Sequence, residues 1–171
     1  MNKVKRITAV LGTFIIAMML TACPLESTVD LENIKKIKVN EDLIGTWKRS
    51  LKAEDSTEII FKKFDDYNYS VSARMSYLGE KFKTTNFKAK ILKVNKNNIL
   101  SLFDEESQLY YFAQWDLYSN GGLSLYIISG ESLEPLHNSK EVLNFLNTAY
   151  ETEKIAFEPF DLNNLIKTKN N

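Results

Sequence analysis

The chain has 171 residues, 44% hydrophobic and 26% charged, and its 22 basic and 22 acidic side chains leave no net charge. A single cysteine excludes an internal disulfide, and a single histidine excludes a multi-histidine metal centre; the usual zinc spacings are absent with them. The length suits one domain that can bury an adequate core without cross-links.

The first element is an address and not part of the fold. Lys3, Lys5 and Arg6 open the chain with no acidic residue among them, and Ile7 to Leu20 follow as fourteen residues without a charge. A helix that spans a bilayer needs about 20 apolar residues, whereas the apolar region of a signal peptide runs about 7–15. Residues 1–22 therefore read as a signal peptide. Thr21 and Ala22 are small enough for the narrow subsites of a peptidase, and Cys23 comes next.

Leu20-Thr21-Ala22-Cys23 resembles the lipobox of bacterial lipoproteins. The resemblance implies that Leu20, Thr21 and Ala22 are read by the signal peptidase. It implies that the Cys23 thiol receives a diacylglycerol and that the chain is cut just before it. The new amino group can then take a further chain such as palmitate. Stable anchoring needs two or more acyl chains, so the implied partner is a membrane held through Cys23. The domain would then face outward from the cytoplasm in the cell envelope, toward the periplasm in a Gram-negative cell. Loss of residues 1–22 removes three of the 22 basic residues and none of the 22 acidic ones, leaving 149 residues with a charge of −3. Lipidated Cys23 and a polar tether are expected over 23–41. Val29, Leu31, Ile34 and Ile37 give it no more than a short helical turn. As a flexible coil, the seventeen residues from Pro24 to Asn40 would span roughly 20–25 Å.

Residues 42–165 read as one β domain. Tyr67, Tyr69, Val71, Ala73 and Met75 alternate with Asn68, Ser70, Ser72 and Arg74, the period of a half-buried strand. Phe87, Ala89 and Ile91 alternate with Lys88 and Lys90 in the same way. A long strand covers 108–117, and Asn120-Gly121-Gly122 marks a hairpin turn into Leu123, Leu125 and Ile127. Further strands are predicted near 43–50, 57–64, 77–83, 98–103 and 154–159, with turns at Asp65-Asp66, 95–98 and 104–107. Short strands this closely spaced predict an antiparallel barrel or sandwich. One helix interrupts them: Val142, Phe145, Leu146, Ala149 and Tyr150 form an apolar stripe, and Asn138 with Glu141 supplies its N-terminal cap. Residues 166–171 read as a frayed tail.

Gly45-Thr46-Trp47, at the start of the first predicted strand, is similar to the opening motif of lipocalins and of lipocalin-like bacterial lipoproteins. The resemblance implies a mainly β fold, an antiparallel up-and-down barrel with one amphipathic helix near the C-terminus, whose closed end Trp47 plugs. Two family features differ here. Only Asp116-Leu117-Tyr118 approaches the family's Thr-Asp-Tyr-like motif, and no arginine follows Arg74 to lie over the tryptophan.

No reaction is legible. His137 precedes the helix and reads as a surface or capping residue. No Gly-x-Ser-x-Gly nucleophile motif or phosphate-binding glycine loop is present. Asp65-Asp66 and Asp104-Glu105-Glu106 lack calcium-loop spacing and read as solvated turns. Lys62, Lys63, Lys81, Lys83, Lys88 and Lys90 read as outward strand faces. The aromatic group Phe61, Phe64, Tyr67, Tyr69, Tyr110, Tyr111, Phe112, Trp115, Tyr118 and Tyr126 fits either a packed core or a barrel mouth that binds an apolar molecule. The expectation is a non-enzymatic, lipid-anchored binder of a small apolar ligand or an envelope protein, with no cofactor, no metal and no nucleic acid. The alternative is a protein-interaction module at the membrane surface, such as an inhibitor, immunity or assembly factor.

Overall fold

A computed structural model describes residues 23–32, 34–52, 55–76, 83–130, 134–151 and 162–168. Three two-residue strands, β1 (Cys23–Pro24), β2 (Glu26–Ser27) and β3 (Lys36–Ile37), come first, then a 3-10 turn at Glu41–Leu43. The long strands are β4 (Gly45–Lys52), β5 (Asp55–Lys63), β6 (Asn68–Ser76), β7 (Lys83–Val94), β8 (Asn97–Asp104), β9 (Leu109–Leu117) and β10 (Gly122–Ile127). A short β11 (Ser129–Gly130), helix α1 (Ser139–Glu151) and β12 (Leu162–Thr168) complete the chain. Strands β4 to β10 pair in sequence as an antiparallel meander, and β12 inserts between β10 and β4. The result is a closed eight-stranded antiparallel barrel with one helix, the expected fold.

Alternation decides which side chains fill it. Trp47, Ile59, Phe61, Tyr69, Val71, Ala89, Ile91, Leu100, Ala113, Leu123 and Leu165 form one buried cluster inside the barrel. Opposite-facing residues of β7, β8 and β9 build a second core on the outside. There Leu92, Val94, Ile99 and Phe112 pack with Val142 and Leu146 of α1 and with Leu25 and Leu31 of the N-terminal segment. The helix thus lies on the flank of the barrel. Its cap is as expected: Asn138 Oδ1 accepts from Lys140 N at 2.8 Å. Gly121 turns the β9–β10 hairpin at φ +81°, where a side chain would be strained, and Asn120 Oδ1 accepts from Gly122 N at 3.0 Å.

Two stretches differ from expectation. Residues 24–40, expected as a tether, run along the barrel: β1 pairs with β11, β2 with β9 and β3 with the end of β7. Leu25 and Leu31 are buried, which a free coil could not achieve. The closing strand β12 reaches Thr168, within the stretch expected to be frayed, and pairs Lys167 with Trp47 and Leu165 with Leu123. Its pattern is hidden because Leu165 and Ile166 are adjacent and only Leu165 enters the core. The signal peptide and the strands predicted near 77–83 and 154–159 lie outside the described residues, apart from Lys83, which opens β7.

Candidate functional site: the barrel interior

The closed end is built around Gly45-Thr46-Trp47. Trp47 is buried and its Nε1 donates to Leu43 O at 2.8 Å, so the 3-10 turn before β4 is tied to the indole it covers. Lys167 of β12 lies over the ring with Nζ 5.2 Å from its centroid and donates to Asp42 O at 2.9 Å. The cover over the tryptophan is therefore a late lysine, in a chain with no arginine after Arg74. Gly45 makes this possible, because its φ is +140° and a Cβ there would meet Lys167 Cε at 2.6 Å. Tyr69 completes the floor. Its hydroxyl accepts from Asn40 N at 2.5 Å, and its ring meets Phe61 edge-on at 5.9 Å. Burial pushes the Tyr69 hydroxyl above its ordinary pKa, against the opposing effect of that amide.

Above the floor the inner wall opens. Along β6 the inward residues Tyr69, Val71, Ala73 and Met75 are 0%, 3%, 8% and 39% exposed in order from the closed end. Neighbouring strands repeat the gradient. Ile91 and Ala89 of β7 are buried while Phe87 is half-buried, and on β8 the same change separates Leu100 from Leu102. Tyr111 and Ile127 continue the half-buried ring on β9 and β10, and Phe87 meets Tyr111 edge-on at 6.4 Å, whereas Trp115 lies on the floor side of buried Ala113, paired with Leu125. Thr57 and Thr85 add half-buried hydroxyls on the same side of their strands. Burial raises the Tyr111 pKa; a hydrogen bond from Ser107 opposes this, and the Glu26 and Asp104 carboxylates add to it. Trp115 Nε1 is buried with no hydrogen-bond partner among the described residues.

The other aromatics divide by face. Tyr110 and Phe112 belong to the outer core beneath α1, whereas Phe64, Tyr67 and Tyr118 are exposed. Tyr118 helps to line an open hollow of about 190 Å³ with Asn120, Gly121, Gly122, Leu165 and Ile166. That volume is below the roughly 300–1,000 Å³ of small-molecule sites, so the hollow is not the candidate. Asp65 and Asp104 act as turn caps: Asp65 Oδ1 accepts from Tyr67 N at 2.7 Å and Asp104 Oδ1 from Glu106 N at 2.9 Å. The Tyr67 amide is the main reason that the Asp65 pKa lies below the usual carboxylate range. His137 is exposed, with Nδ1 2.8 Å from Thr28 Oγ1.

Lys88 and Lys90 show what alternation leaves open. Lys88 is on an exposed outer face and pairs with Glu105 at 2.6 Å. Lys90 shares that outward direction but is only 7% exposed, because the N-terminal segment covers it. Its Nζ donates to Asp30 Oδ2 at 2.6 Å and lies 2.5 Å from Oδ1, the second contact coulombic and without hydrogen-bond geometry. Of the lipobox residues, Cys23 lies in β1, paired with Gly130, while Leu20, Thr21 and Ala22 are outside the described residues. Comparisons with protein-family models, curated proteins and solved structures found no match.

Proposed function

We propose that this is a non-enzymatic, lipid-anchored protein of the bacterial cell envelope whose barrel binds a small apolar molecule or the apolar part of an envelope component. The exposure gradient along β6 carries the reading: a floor sealed by Trp47 and Tyr69 gives way to half-buried apolar side chains. Such a concave, mostly apolar wall with a few polar groups suits ligand binding. Anchoring rests on Leu20-Thr21-Ala22-Cys23 after a charged start and a fourteen-residue apolar run.

The binding half is tested by native mass spectrometry of protein purified from membranes, together with tryptophan emission during titration with fatty acids and phospholipids. A bound apolar molecule and a spectral change are expected. Tyr111→Ala should weaken binding, because Tyr111 lies on the open side of buried Ala113. Absence of any co-purified or added ligand would refute the pocket. The anchoring half predicts that Cys23→Ser leaves an unprocessed, unacylated precursor; normal processing of that variant would refute it.

A further inference from the structure

We propose that the segment from Cys23 to Asn40 seats the barrel flush on a phospholipid bilayer, with the flank that carries β1 and β11 turned toward the headgroups. This rests on the acylation of Cys23 proposed above. An acylated residue followed by a free coil would let a domain tumble some distance from the membrane. Here the coil is absent because the anchoring residue is itself part of a ladder: Cys23 pairs with Gly130 and Pro24 with Ser129.

The attachments then recur every few residues. Leu25 N donates to Ile128 O at 2.7 Å, and Glu26 and Ser27 pair with Tyr111 and Tyr110. Asp30 meets buried Lys90, Leu31 is buried beneath α1, and Lys36 and Ile37 pair with Leu92 and Ile91. Val39 N donates to Asp66 O at 3.0 Å and Asn40 N to the Tyr69 hydroxyl, which carries the path to the barrel floor. The acyl chains and the barrel wall are thus joined without a spacer. The exposed side chains beside β2, Thr28, His137 and Asn138, are polar, which suits contact with headgroups and not insertion among acyl chains.

Neutron reflectometry of the full protein, extracted from membranes and held on a supported bilayer of phosphatidylcholine and phosphatidylglycerol, reads the seating directly. Protein density should begin at the headgroups with no water layer between. A ten-residue Gly-Ser insertion after Pro24 should open a layer on the order of 15–20 Å, the span of a coil of that length. A layer of about 20 Å beneath the wild type, the span of a seventeen-residue free coil, would overturn the proposal. A wild-type profile indistinguishable from that of the insertion variant would overturn it equally. Intact mass of the extracted protein checks the underlying reading separately, since an unmodified Cys23 would refute acylation. In that event the same chain, coupled through its single thiol to a maleimide lipid, gives the profile that decides flush seating by itself.

Discussion

Gly45 and Lys167 share one small volume beside Trp47, and the two substitutions there have different expected costs. Gly45→Ala puts a methyl group at φ +140° and 2.6 Å from Lys167 Cε. The lysine chain can swing aside but the backbone strain stays, so a loss of about 1–3 kcal/mol is expected in urea unfolding. Lys167→Met keeps the aliphatic cover and removes the charge over the ring, which should cost about 0.5–1 kcal/mol, while Lys167→Arg should stay near wild type. Tyr150 poses the opposite case. Its hydroxyl is buried without a partner among the described residues, and burial, with the Asp116 carboxylate second, pushes its pKa up to about 12. Tyr150→Phe removes an unsatisfied group and should leave stability unchanged or slightly higher. A folded-state pKa above the unfolded value of 10.0 means that the native state holds the proton more tightly. This contribution is present in full below pH 10 and is lost as pH rises toward 12. Unfolding measured across that window should fall less steeply in Tyr150→Phe than in wild type.

The N-terminal segment and α1 hold each other on the barrel's flank, and their energetics follow from a few contacts. Lys90→Ala would leave Asp30 without its cation beneath the segment. Removing one partner of a buried pair costs about 3–5 kcal/mol, and because Asp30 keeps 23% exposure the lower end is expected. Replacing both residues, as in Asp30→Leu with Lys90→Met, should recover most of that loss in thermal unfolding. Asn138→Ala should cost about 1 kcal/mol through the lost cap. The β4–β10 meander was legible in the sequence because each hairpin carries its own alternation and turn residues, Asn120-Gly121-Gly122 most clearly. Gly45 and Trp47 likewise marked the barrel floor, and Asn138 the start of the helix. The segment was illegible because β1, β2 and β3 are two residues long and owe their order to partners far away in the chain. Lys90 shows the same limit: period two assigns a side chain to a face, but it cannot say that another part of the chain will cover that face. The open upper wall was hidden too, since Tyr69 and Met75 look alike in an alternating strand although one is sealed in the floor and the other is not.

At the scale of the whole molecule, closure is the least local event in the fold. Thr168 Oγ1 donates to Thr46 O across 122 residues of chain, and the neighbouring Lys167 reaches the Trp47 ring through the same pairing. Contacts of such long separation are slow to form, because loop-closure entropy must be overcome before they stabilise anything. A chain emerging N-terminus first displays Gly45-Thr46-Trp47 early and receives its partner strand last. Removing residues 165–171 should therefore leave the meander with an unpaired β4 edge and a solvent-exposed Trp47, visible as a red-shifted emission and as aggregation. In refolding, the burial of Trp47 should trail the appearance of β structure in far-UV circular dichroism. The lysine that covers the tryptophan is thus also a timer: until β12 is in place the sheet has walls but no floor, and Trp47 stays uncovered.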